Sequence, residues 1–118
     1  MTKGFWKDYG AVEAKADFVN RDKLRFFGLQ APKLTMADIP ATYDGLLASP
    51  FASLYGAQTW AEDWAELFTW ARFAALGGEL QVDLLDGAGT VQRTWRPLSN
   101  PRLGQRLAAV STLFRQVE

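Results

Sequence analysis

Apolar residues recur along this chain with two different periods, and the change of period predicts the order of its elements. From Trp60 to Leu76 the spacing is helical. Thr59 stands where an N-cap belongs, and Glu62 three residues on gives Thr59-Trp60-Ala61-Glu62 the form of a capping box. Gly77-Gly78 supplies the stop. The period then drops to two: Leu80, Val82 and Leu84 alternate with Gln81 and Asp83, as a half-buried strand requires. Asp86-Gly87-Ala88-Gly89 turns the chain, and Thr90 to Trp95 returns it as the second strand of a hairpin. A last helix is capped by Asn100 and opened by Pro101, with Leu103, Leu107, Val110, Phe114 and Val117 along one stripe.

The first half is less periodic. Residues 11–27 read as a weak helix with partial faces from Ala14, Phe18, Leu24 and Phe27, stopped by Gly28. Asp38 is placed to cap a short helix with Pro40 in its first turn, where a missing N–H is harmless, and Ser49-Pro50 ends it. Helices, a hairpin and a helix together predict a mainly α fold with a small β-hairpin (α+β), in a single domain over residues 1–118.

Composition narrows the chemistry. With 118 residues, 48% hydrophobic and 22% charged, the chain is sized for one folded core and is not of disordered type. It contains no cysteine and no histidine. Disulfides, thiolate catalysis, iron–sulfur clusters and cysteine zinc sites are thereby excluded, along with the commonest general base and metal ligand. Carboxylates, Tyr, Lys and hydroxyls remain. A self-sufficient hydrolase is not expected from them.

The net charge is zero, but residues 1–33 carry +3, residues 34–86 carry −7 and residues 87–118 carry +4. Such a distribution suits charge-complementary packing within the fold or towards a partner. A nucleic-acid surface is expected to be more basic than this, so nucleic acid is not an expected partner. No segment reaches the roughly eighteen apolar residues of a membrane span, and the first residues lack the apolar run of a secretory signal. Localisation stays open.

The densest chemistry lies between residues 49 and 69. On a helix Glu62, Glu66 and Thr69 fall within about 60° of one another. A Glu–Glu pair four apart repels by a few tenths of a kcal/mol, so fold stability alone would favour a lysine at one position. Beside Trp60, Trp64, Phe68 and Trp70, the pair has the look of a site that wants negative charge. The plainer reading makes Glu62 a cap, Glu66 a solvated residue and the tryptophans core. Elsewhere, Gly87-Ala88-Gly89 precedes a strand and is expected as a hairpin turn, not a phosphate loop. Arg102 and Arg106 could bind an anion, but a solvated face opposite Leu103 and Leu107 is the expected role.

The segment Tyr55-x6-Glu62-Asp63-Trp64-Ala65-Glu66, preceded by Ser49-Pro50-Phe51-Ala52-Ser53, resembles the third-ligand segment of gluzincin-type zinc metallopeptidases, the lethal-factor-like group included. In those enzymes a HExxH helix supplies two histidine ligands and a catalytic Glu, and a downstream helix supplies a third ligand. The resemblance implies that Glu62 is the zinc ligand and that Glu66 supports the metal site from one turn later. It implies too that Tyr55 donates to the oxyanion formed in peptide-bond hydrolysis. It further implies the helical half of a zincin-like domain, zinc in an intact parent, and a protein or peptide substrate. HExxH itself is absent. Val12-Glu13-Ala14-Lys15-Ala16 has its Glu in the right slot but is expected as a surface helix. The chain is thus expected to be either the C-terminal part of a longer enzyme or a histidine-less relative, inactive alone and without zinc of its own. Self-association through an uncovered apolar face around Tyr55, Trp60 and Trp64 would follow for a fragment. The other expectation is a non-enzymatic helical module that binds a protein partner.

Overall fold

The computed structural model describes residues 4–24 and 34–117, with side chains as far as residue 113. The chain forms three α-helices, α1 (Ile39–Leu47), α2 (Trp60–Ala75) and α3 (Pro101–Val117), and one antiparallel hairpin of β1 (Val82–Leu85) and β2 (Val91–Trp95) between α2 and α3 in sequence. The fold is therefore mainly α with a small β element. No described helix is long and apolar enough to cross a membrane.

Local signals account for the second half. The Thr59 hydroxyl accepts from the Glu62 N–H at 3.2 Å and starts α2. Gly77, at φ +85°, ends it, and the Gly78 N–H closes on the Phe73 carbonyl at 2.9 Å. Gly78 lies so close under the Phe73 ring that a Cβ there would sit 2.5 Å from it. In the hairpin, Val82 faces Trp95 and Leu84 faces Arg93, and a bulge follows at Leu84/Leu85. The Asp86 carboxylate accepts from the N–H groups of Ala88 (2.8 Å) and Thr90 (2.9 Å), and Gly89 takes φ +82°, so Gly87-Ala88-Gly89 is a turn. Asn100 caps α3 by accepting from the Arg102 N–H at 3.0 Å. Leu103, Leu107 and Val110 are buried as their spacing predicts, while the Phe114 and Val117 side chains fall outside the described residues.

The weak helix expected over 11–27 is not one. Its described part consists of two 3-10 turns, Ala14–Ala16 and Arg21–Lys23, separated by extended Asp17 and by Asn20 in the left-handed region at φ 67°. Long-range contacts hold this path: Asn20 Nδ2 donates to the Thr42 hydroxyl at 3.0 Å, and Arg21 Nη1 to the Ala57 carbonyl at 3.0 Å. Phe27 and Gly28 lie outside the described residues. Asp38 also departs from its expected role, because its carboxylate reaches back to the Thr35 N–H at 3.0 Å instead of capping α1. Pro40 sits in the first turn of α1 as expected.

Two apolar clusters result. Val12, Ala16, Leu24, Leu46, Phe51, Leu54 and Ala57 form one beneath the N-terminal segment and α1. Leu67 and Ala71 of α2 meet Leu103, Leu107 and Val110 of α3 in the other, together with Ala52. Consecutive residues Phe51 and Ala52 thus belong to different clusters, which ties the loop between α1 and α2 to both.

Candidate functional site

That loop carries Ser53, Tyr55 and Gly56, and it folds back on α2. The Ser53 hydroxyl donates to Glu66 Oε1 at 2.9 Å and accepts from the Gly56 N–H at 3.0 Å. Gly56 allows this approach, since a Cβ on it would stand 3.2 Å from the Glu66 Cβ. Tyr55, Glu62 and Glu66 are all half-buried. The Tyr55 phenol is raised above its ordinary 10.0, by desolvation first, then by the Glu62 hydrogen bond and the charges of Glu62 and Glu66. Residues thirteen positions apart, Ser53 and Glu66, are joined directly.

The aromatic residues do not gather there. At 100° per residue Trp60 and Trp64 each lie about 160° around the helix from Glu62; Trp60 shares the phase of Leu67 and Ala71, and Trp64 lies about 20° beyond Ala71. They are not core either: Trp60 is 46% and Trp64 40% exposed. Trp60 meets the edge of Tyr9 at 5.9 Å, and Trp64 packs on Phe68 at 4.7 Å. Trp70 is half-buried against the second cluster.

Asp63, between the two site carboxylates, turns into the protein and is 1% exposed. Arg106 donates to it twice, from Nη1 at 3.0 Å and from Nη2 at 2.7 Å. The Trp6 indole N–H adds a third bond at 2.9 Å. Arg106 Nη1 also donates to the Pro50 carbonyl at 2.8 Å, and the guanidinium lies over the Phe5 ring at 4.9 Å. Arg106 is 5% exposed, so the solvated role expected for it is incorrect. Its neighbour Arg102 is exposed but committed as well, to the carbonyls of Ala48 (2.7 Å) and Lys15 (2.8 Å). Helical phase was the missed signal: Arg106 falls about 40° from Val110 and 60° from Leu103, inside the apolar stripe. Asp63 falls about 40° from Leu67 in the same way. Opposite charges inside the buried stripes of two helices need each other.

Zinc does not fit these residues alone. The donors gathered here are two carboxylates and a phenol, all oxygen, one carboxylate being tied to Ser53. Zinc sites ordinarily combine about four ligands with nitrogen or sulfur among them, and this sequence has no histidine or cysteine. Among the described residues no group of three or more acidic side chains is placed to hold a metal. Glu13 sits in extended backbone before a 3-10 turn, so the Val12–Ala16 segment is not the surface helix expected. The chain matches no protein-family model, and no curated protein or solved structure is significantly similar to it.

Proposed function

We propose that the Tyr55–Glu62–Glu66 corner is the carboxylate side of a gluzincin-type zinc peptidase centre, and that this chain alone hydrolyses no peptide bond. In this reading Glu62 is one metal ligand, and the imidazoles come from a separate polypeptide segment. Glu66 supports the site from one turn along α2, and Tyr55 is the donor for a developing oxyanion. The observation that carries the reading is the fold-back of the Tyr55-bearing loop on the carboxylate face of α2, fixed by the Ser53–Glu66 bond at 2.9 Å. Helix capping alone has no use for that contact.

The alternative is a non-enzymatic module that binds a protein partner. It is favoured by the exposure of Tyr9 (57%), Trp60 (46%) and Trp64 (40%).

Complementation separates the two. The chain is mixed with zinc and a helix-forming peptide bearing His-Glu-x-x-His, passed through a desalting column, and assayed for metal. Zinc retained with the wild-type chain and lost with Glu62→Gln supports the peptidase reading, because an amide is a poor zinc ligand. Equal zinc for both chains leaves Glu62 as a helix residue and removes that reading.

A further inference from the structure

We propose that the Asp63–Arg106 pair, together with the Trp6 indole, sets the rotation of α2 about its axis and so holds Glu62 and Glu66 against the Tyr55-bearing loop. Asp63, Arg106 and Trp6 are then positioning residues for the carboxylate site.

The buried residues of α2 are Asp63, Leu67 and Ala71. The first turn, where Glu62 sits, therefore has no buried apolar anchor. Trp60 is largely exposed, and Ala61 and Glu62 are half-buried. An aliphatic contact is non-directional and tolerates sliding. A guanidinium fork on a carboxylate does not, because both N–H···O bonds must keep their geometry.

The same guanidinium nitrogen that binds Asp63 Oδ1 also binds the Pro50 carbonyl, the residue from which the Ser53–Tyr55 loop departs. Helix and loop are thus referenced to one group. Trp6 closes the arrangement from the N-terminal segment, packing on Phe51 at 5.4 Å while its N–H holds Asp63 Oδ2. A turn of α2 by about 20° would move a side-chain end by about 2 Å at a radius of about 5–6 Å. The Ser53–Glu66 bond, at 2.9 Å, does not survive such a displacement.

The functional meaning of this inference rests on the peptidase-type reading of Glu62 and Glu66, but its test uses no metal. The coupling between Ser53 and Glu66 is measured by a double-mutant cycle of Ser53→Ala and Glu66→Ala in urea. One cycle is run in the wild-type chain and one in an Asp63→Leu/Arg106→Met background. Burying apolar residues in place of an ion pair often preserves stability, so that background is expected to fold. In the wild-type chain the coupling should be about tenfold in the unfolding constant, as for a hydrogen bond to a charged group. In the substituted background it should fall to about twofold or less. A pair that only added stability would shift every corner of the cycle equally and leave the coupling intact.

Full coupling in the folded background overturns the proposal. Should that background not fold, the same cycle is run in Arg106→Lys, which keeps the charge and loses the fork. Undiminished coupling there overturns the proposal equally. Lost coupling alongside unsuccessful zinc complementation would remove the peptidase reading and leave the positioning intact.

Discussion

Arg106 of α3 grips Asp63 of α2 across forty-three positions of sequence, with bonds of 2.7 and 3.0 Å and both side chains inside the protein. Each would be costly alone. Arg106→Ala leaves a buried carboxylate without its cation, and the expected loss is about 3–5 kcal/mol, against about 1 kcal/mol for an ordinary substitution. Asp63→Asn should cost less, since the amide oxygen still accepts from one donor. Urea midpoints at unchanged m-values check both. An Arg106→Ala chain within about 1 kcal/mol of wild type would show that water relieves the buried charge.

Glu62→Gln should leave the stability of this chain within about half a kcal/mol of wild type. Thr59 still caps the helix through the Glu62 backbone N–H, which the substitution does not touch. The repulsion with Glu66 is removed, and a favourable charge near the helix N-terminus is lost, each about tenths of a kcal/mol. A drop of about 2 kcal/mol or more would mean that the Tyr55 contact is a stability element.

The Tyr55 phenol should ionise above 10.0, and in Glu62→Gln its midpoint should move back down. Because the folded state holds this proton more tightly than the unfolded state, the associated stability is complete below pH 10.0. It is lost as the pH rises through the folded-state value. Tyrosinate absorbance of wild type minus Tyr55→Phe isolates the group. A Tyr55 signal unaffected by Glu62→Gln would place the cause in burial and the remaining charges, Glu66 among them.

Asp44 of α1 holds the hairpin through β2. It accepts from Arg93 Nη2 at 2.6 Å and from the Trp95 indole at 3.0 Å, and these donors, Arg93 first, hold its carboxyl below the ordinary 3.8. A lowered carboxylate contributes above its unfolded value and is lost as the pH falls through the folded one. Trp95 fluorescence should therefore show the hairpin loosening from α1 only below pH 3.8. Asp44→Asn should abolish that transition. Persistence of the transition in this variant would assign it to another carboxylate.

Gly56→Ala should loosen the loop from α2. Its Cβ would meet the Glu66 Cβ at 3.2 Å and the Ser53 hydroxyl at 3.3 Å, and a Cβ fixed to a helix backbone has little room to retreat. A loss of about 1–3 kcal/mol is expected, as for other overpacked contacts. A gain in stability would show that the loop yields instead.

The chain's own sequence determined α2, the hairpin and α3, because their signals are local: the Thr59 and Asn100 caps, the Gly77 stop and the Asp86 turn each act within a few residues. The pairing of Glu62 with Glu66 on one face was equally legible, being a property of helical spacing. The N-terminal third was not, since Trp6, Asn20 and Arg21 are held by partners between twenty-two and fifty-seven positions away. No local pattern encodes such partners. The joining of Ser53 to Glu66 and the exposure of Trp60 and Trp64 were likewise decided by how the rest of the chain packs on α2. Asp63 and Arg106 show the same division within single residues. Their phase on each helix is written in the sequence, but only tertiary packing puts one charge within reach of the other, and burial without that partner would be prohibitive.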